Sequence, residues 1–200
     1  LYDFVPAPNP RRVRIFLHEK GIEVTTKQID IMKGEHKEEE YKKASPLSQV
    51  PTLELDDGTF ITESIAICRY FEALHPEPSL MGDNAEEIAI IEMWQRRFEL
   101  LLMIGIANTY RHGHPAMAAL EDQIKEWSEA SRPRVIKMMY WFDKQIEDKE
   151  FICLNKFTIA DISALVCFDF AKWPKIEIPS DCTNLLNYYE RLNSRPSAKA

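Results

Sequence analysis

No C-x-x-C pair occurs among the four cysteines, Cys68, Cys153, Cys167 and Cys182, and none of them shows metal-ligand spacing. A dithiol redox motif and a cysteine-held metal are therefore not expected, and reduced, buried thiols are. His112 and His114 stand two apart, but no cysteine or acidic motif frames them as a metal site. Positive charge is short: 25 Lys and Arg against 32 Asp and Glu give a formal charge of −7. A nucleic-acid partner is not expected, because phosphate contacts need clustered basic residues. No apolar run approaches the roughly 18 residues of a membrane span, so no membrane partner is expected either. Repeats and low-complexity tracts are missing. No secretory-leader pattern is visible, and the expected compartment is the cytoplasm. Leu1 falls inside what reads as a strand and Ala200 inside what reads as the approach to an end, so natural termini beyond both are expected.

What is present is an ordinary globular composition, 45% hydrophobic and 28% charged over 200 residues. That length allows one large domain or two small ones sharing an interface. The most informative stretch is Ser48 to Ile67. Thr52–Leu55 and Thr59–Ile61 flank Asp57-Gly58, a strong hairpin signal. Pro51 precedes the first run, where its missing N–H removes no ladder bond. Glu63 and Ser64 follow the second run and lead into Ile67, Tyr70, Phe71 and Leu74, an apolar stripe at helical spacing. A strand that runs straight into a helix presents free backbone N–H groups and a positive dipole end, which suit an anion. Strand punctuation by Pro51 and capping by Glu63 and Ser64 explain the same residues without a ligand.

In chain order, Leu1–Val5 reads as a short buried strand and residues 6–10 as a rigid loop. Asn9 fits a helix N-cap with Pro10 in the first helical position. Val13, Phe16 and Leu17 form the buried face of that helix, and Gly21 ends it. Residues 23–31 alternate as a second strand, and 34–43 form a charged, solvated segment with a short irregular helix. The hairpin and a third helix follow, closing near His75. The order β-α-β-α-β-β-α is that of a thioredoxin-like domain. His75-Pro76-Glu77-Pro78 and Gly82-Asp83 make a linker. Beyond it everything is helical. Asn84 with Glu87 reads as a capping box opening a helix that carries Ile88, Ile91, Trp94 and Phe98. Periodicity resumes from about Ala118 to Ile146, with Pro133 as a kink or a break. Phe157-Thr158-x-x-Asp161-Ile162 supplies an N-cap, an N3 acid and a hydrophobic staple, and a last helix spans 183–193. The expected division is an α+β domain over 1–75, a linker over 76–83 and an all-helical domain over 84–200.

Gln49-Val50-Pro51, the hairpin, and Glu63-Ser64-x-Ala66-Ile67, in that order, resemble the glutathione-binding segment of cytosolic glutathione transferases. The resemblance extends over the whole chain. It implies a cis Pro51, contact of the Val50 backbone with the cysteinyl part of glutathione, and a γ-glutamyl end held by Glu63 and Ser64. His36 in Gly34-Glu35-His36 resembles the Gly-Gln-His of theta-like members, whose histidine holds the glycine carboxylate. A solvated surface histidine is the plain alternative. Tyr110 and Arg111 lie where the family's electrophile pocket is lined, and each also fits a loop cap. Thr158 and Asp161 resemble the family's capping box, a folding element. Glutathione as co-substrate, a small electrophile and a homodimer follow from the same resemblance.

The family lowers the pKa of the glutathione thiol so that the thiolate attacks an electrophile. In serine-type members the hydroxyl stands six residues before the valine of the first helix. Counting back from Val13 gives Ala7, so that hydroxyl is missing. Asn9 then becomes the candidate catalytic residue, since Nu-like bacterial members carry Thr-Pro-Asn where this chain has Ala7-Pro8-Asn9. An amide can cap a helix with its oxygen and still give its NH₂ to a thiolate. Tyr2 is a lesser candidate, better suited to packing in the sheet. Arg11, Arg12 and Arg14 crowd a first helical turn, where a bound anion would relieve their charge. The expected activity is conjugation of glutathione to an electrophile. A glutathione-dependent disulfide reductase and a non-catalytic binding protein on the same fold remain as alternatives at this level.

Overall fold

Asp57-Gly58 turns the chain as its composition requires. Gly58 takes a φ of 84°, and Thr59 N donates to Asp57 Oδ1 at 2.9 Å. The flanking strands β3 (Thr52–Glu54) and β4 (Phe60–Thr62) pair antiparallel, with Leu53 opposite Ile61. The computed structural model to which this hairpin belongs describes residues 1–200. It divides into two compact units, Leu1–Leu80 with Lys199–Ala200, and Met81–Ala198.

In the first unit β1 (Tyr2–Asp3) lies between β3, antiparallel, and β2 (Lys27–Gln28), parallel, so the sheet order is β2-β1-β3-β4. β1 and β2 are shorter than the expected strands over 1–5 and 23–31. Past β1 the chain turns on Pro6, and Val5 N donates to the Gln28 side chain instead of a ladder carbonyl. Past β2, Asp30 Oδ1 accepts from Met32 N and Lys33 N and winds the chain into a 3₁₀ turn. The helices are α1 (Pro8–Lys20), α2 (Glu39–Ala44) and α3 (Ser64–Leu74). Together with the strands they give the thioredoxin-like order. Gly21 ends α1 at φ 64°, with Gly21 N donating to His18 O and Ile22 N to Leu17 O. In α3 the buried stripe is Ile67, Cys68 and Phe71; Leu74 is exposed. The unit continues past His75 because Lys20 Nζ, fully buried, donates to the carbonyls of His75 and Pro76 and pairs with Glu72. Glu72 in turn accepts from Leu80 N.

In the second unit α4 (Ala85–Arg97) passes through a π-helical segment, Phe98–Met103, directly into α5 (Ile104–Gly113). Asn84 caps α4 by accepting from Glu87 N at 3.0 Å. The reciprocal half of the expected capping box is replaced: the Glu87 carboxylate accepts from Asp83 N and pairs with Lys156 at 2.6 Å. α6 (Lys125–Gln145) runs without interruption through Pro133. The proline is on the solvent face, so the carbonyl it frees meets water. Residues 118–124 stay outside the helix. Phe98 and Phe142 stack at 4.2 Å in the core.

α7 (Ile159–Ala171) is buried along nearly its whole length and opens on the Thr158/Asp161 capping box, with Phe157 and Ile162 as its buried staple. Asp161 is fully buried and receives four donors: Ile152 N, Thr158 N, Thr158 Oγ1 and the hydroxyl of Tyr188. Tyr188 belongs to α8 (Thr183–Asn193), so one carboxylate joins three segments. All four cysteines are buried free thiols. No helix is long and apolar enough to cross a membrane.

Candidate functional site

A loop pinned from behind makes one wall of the site. The carbonyl of Gln49 accepts from the Tyr41 hydroxyl at 2.6 Å and from Ser45 Oγ at 2.9 Å, and Ser45 Oγ accepts from Gln49 N at 3.0 Å. These bonds fix the backbone just ahead of Val50–Pro51, whose peptide bond is cis. Burial pushes the Tyr41 hydroxyl above its ordinary pKa, so it stays a donor.

The opposite wall is the turn from β4 into α3. Glu63 sits there at φ 68°, a left-handed conformation that side chains avoid, at an expense of about 1–3 kcal/mol. Its carboxylate is exposed, while Ser64, the first residue of α3, is buried. The N–H groups of Ser64, Ile65 and Ala66 precede the first internal helical bond, from Ile67 N to Glu63 O.

The third wall is the start of α1, which differs from expectation. Ala7 is the N-cap, with no side-chain bond, and Pro8 rather than Pro10 holds the first helical position. Asn9 is inside the helix and is not its cap. The two prolines have no N–H, Ala7 N donates to Phe4 O, and Arg11 N donates to Ala7 O. The backbone N–H of Asn9 is therefore the one main-chain donor left at this helix end. The Asn9 side-chain oxygen is engaged by Arg12 Nη1 at 3.0 Å, which leaves the Asn9 NH₂ group as a second donor.

Asn9, Val50, Pro51, Glu63 and Ser64 line one pocket of about 40 Å³, with Thr62 and Ser45 beside them. That volume accepts an anchoring end of a ligand and not a whole tripeptide, since pockets that enclose ligands run to about 300 Å³ or more. Two helix N-termini border it, and both favour negative charge. A larger cavity of about 230 Å³ borders Tyr2 and Lys27 and carries Glu35, Glu38 and Glu40, which repel an anion. Tyr2 is in the sheet and donates its hydroxyl to Glu54 at 2.8 Å.

His36 is not among the residues that line the small pocket. It is buried in a 3₁₀ turn, Glu35–Lys37, with its Nδ1 unpartnered, and burial pushes its pKa down. In the second unit Tyr110 packs against His114, Phe170 and Trp173 at 4.8–5.7 Å between ring centres. Arg111 pairs with Glu121 at 3.4 Å. His112 and His114 accept from the backbone N–H groups of Ile124 and Ala116, which gives both a loop-capping role.

Sequence reasoning missed Arg12. The three arginines that crowd the first turn diverge. Arg14 pairs with the buried carboxylate of Asp3 at 2.6 Å. Arg12 is 1% exposed and reaches Ser64 Oγ at 2.7 Å. The signal was in the spacing: Arg12, Phe16 and Lys20 fall four apart on the face that carries Val13 and Leu17, the buried one.

Residues 7–74 match the family model of the glutathione S-transferase N-terminal domain, and residues 111–200 that of the C-terminal domain. Glutathione S-transferase 2 of Saccharomyces cerevisiae is 35% identical over 203 residues, covering 100% of this chain and 87% of that protein. The crystal structure of Gtt2 from the same yeast superposes with a TM-score of 0.93 over 99% of this chain and 97% of that one, at 35% identity. A glutathione S-transferase domain-containing protein of Marinobacter aquaeolei gives 0.92 at 34% identity, over 98% of each chain. The two family models and these relatives, 34–35% identical over nearly the whole chain, lead to one conclusion: the chain belongs to the glutathione S-transferase family.

Proposed function

We propose that this protein is a glutathione transferase that binds the peptide across the small pocket and activates its thiol at Asn9. The γ-glutamyl carboxylate is met by the Ser64 hydroxyl and the free N–H groups of α3, and the γ-glutamyl amine by Glu63. The cysteinyl backbone lies against Val50, beside the cis Pro51. The observation that carries this reading is the convergence of Asn9, Val50, Pro51, Glu63 and Ser64 on one pocket between two helix N-termini.

A free thiol with a pKa near 8.5 is only a few per cent ionised at neutral pH. At Asn9 the thiolate meets an amide donor worth about 1.5–3 kcal/mol and a helix N-terminus worth about 0.3–1 kcal/mol. At 1.36 kcal/mol per unit the two together lower the thiol pKa by about one to three units. The thiolate then attacks the electrophilic carbon of the second substrate; in a substitution a leaving group departs with the bonding pair, and in an addition to a double bond the π pair moves to the neighbouring atom, which takes up a proton. His36, buried in its 3₁₀ turn, takes the glycine carboxylate only if that turn opens toward the peptide. The helical domain of residues 84–200 supports a homodimer: Ile88, Met93, Leu100, Leu101 and Ile104 are all 40–46% exposed between residues 85 and 113. Sedimentation at micromolar concentration giving only the 23.3 kDa mass would exclude it. Four free thiols accord with a cytoplasmic location.

Calorimetric titration with glutathione, alongside conjugation of an activated aryl halide, tests the proposal. Ser64→Ala should weaken glutathione binding by about 1–2 kcal/mol. A folded Ser64→Ala protein that binds as tightly as the parent sinks the placement.

A further inference from the structure

Arg12 is a buried cation whose acceptors are all neutral. Its Nη1 donates to Ser64 Oγ at 2.7 Å and to Asn9 Oδ1 at 3.0 Å, while Nε and Nη2 are buried with no hydrogen-bond partner. Arg12 forms no ion pair of its own with the groups nearby. Burial pushes the Cys68 thiol up to about 12, so it stays neutral. Glu72 is committed to Lys20. A guanidinium remains charged when buried, and a buried charge without a counter-ion is unfavourable.

The direction of these two bonds has a chemical consequence. A guanidinium has donors and no acceptor, so it must meet the oxygen of Asn9 and the lone pair of Ser64. Asn9 is thereby oriented with its NH₂ group away from Arg12, and Ser64 is left with its own hydroxyl proton to give. One side chain converts two residues of different helices into donors, and both of them line the pocket. We propose that Arg12 is a positioning residue for an anionic peptide: it sets Ser64 and Asn9 as donors and lends its uncompensated charge to the carboxylate that Ser64 receives. The proposal rests on the reading that glutathione binds here. It adds that recognition of the γ-glutamyl α-carboxylate depends on that carboxylate's charge, relayed through Ser64, and that the same arginine holds the thiol-activating amide in register.

The full chain, Arg12→Met and Arg12→Lys are titrated by calorimetry with S-methylglutathione and with its analogue amidated at the γ-glutamyl α-carboxylate. Arg12→Met should bind S-methylglutathione at least tenfold more weakly than the parent, with Arg12→Lys between the two. For the amide analogue the parent and Arg12→Met should agree within about twofold, because no charge remains to be met. With glutathione itself, Arg12→Met should also raise the pKa of the bound thiol, read from thiolate absorbance against pH. Unchanged affinity for S-methylglutathione overturns the proposal and leaves the transferase reading standing. So does an equal loss for both peptides, which marks a general structural role. A parent protein that binds neither peptide overturns the transferase reading and this proposal with it. Should Arg12→Met fail to fold, the side-chain Nε–H resonance of Arg12 is followed in the ¹⁵N-arginine-labelled parent. It should shift with S-methylglutathione and not with the amide, and no shift with either overturns the role.

Discussion

Asn9→Ala isolates the activation of the thiol. The substitution removes the NH₂ donor and keeps the backbone N–H, the main-chain donor that Pro8 and Pro10 leave at that helix end. An amide donor to an anion contributes about 1.5–3 kcal/mol. The bound thiol's pKa should therefore rise by about one to two units at 1.36 kcal/mol each. The residual 0.3–1 kcal/mol of the helix end should persist, so the variant is weakened and not dead. The measurement is the ultraviolet absorbance of the thiolate against pH at saturating glutathione, with the pH–rate profile of conjugation recorded in parallel. Both should move to higher pH by the same amount. Stability does not confound the result as it would for a helix cap, because Ala7 occupies that position and Asn9 is exposed. Arg12 keeps Ser64 as an acceptor, so the melting temperature should fall by only a few degrees. An unchanged thiol pKa, with fold and glutathione affinity intact, removes the Asn9 side chain from the mechanism.

Ala7→Ser places a hydroxyl at an N-cap with extended backbone and no present side-chain bond. With proline at the first and third helical positions it can accept only from Asn9 N, so a gain of about 0.5–1 kcal/mol is expected. Calorimetry should then show a rise of about 1–4 °C in Tm, with the bound thiol's pKa lowered or unchanged. Asp161→Ala leaves four donors facing an apolar gap and should destabilise the protein by about 3–5 kcal/mol in urea titrations. Tyr188→Phe leaves three donors on the carboxylate and should lose about 1–2 kcal/mol; equal losses for the two variants would contradict the network. His36 has its pKa pushed below the usual 6.5 by burial, so the unfolded chain takes up its proton first as pH falls. Stability at this site is full above the usual value and declines as pH drops below it. His36→Asn should flatten the dependence of unfolding free energy on pH between 5 and 7, and an unaltered slope would refute the assignment.

Much of the fold was legible because its signals are local. Asp57-Gly58 fixes the hairpin through two residues, Thr158 and Asp161 start α7 within one turn, and α8 occupies the expected residues 183–193. Long-range choices were less legible. Pro8 and Pro10 both suit a first helical position, and only the packing of α1 decides that the helix begins at Pro8 and that Asn9 is inside it. α5 escaped the pattern because α4 reaches it through the wider π-helical turn at Phe98–Met103, which shifts the phase of the apolar stripe. Pro133 read as a kink or a break because sequence does not show that it faces water. In the site, Val50, Pro51, Glu63 and Ser64 line one pocket, the grouping that the family resemblance implied. The partner of Ser64 is 52 positions away, and no periodicity connects Arg12 to it.

The proline–asparagine–proline opening of α1 bears on how such a site changes over evolutionary time. A main-chain N–H is not encoded by residue identity, and every amino acid except proline supplies it at position 9. With the thiol placed as proposed, a lineage can therefore lose the side-chain donor and acquire another one nearby while this main-chain donor to the sulfur persists. Under that protection the activating residue becomes an interchangeable part, and an alanine at position 7 is a permitted state and not a lesion.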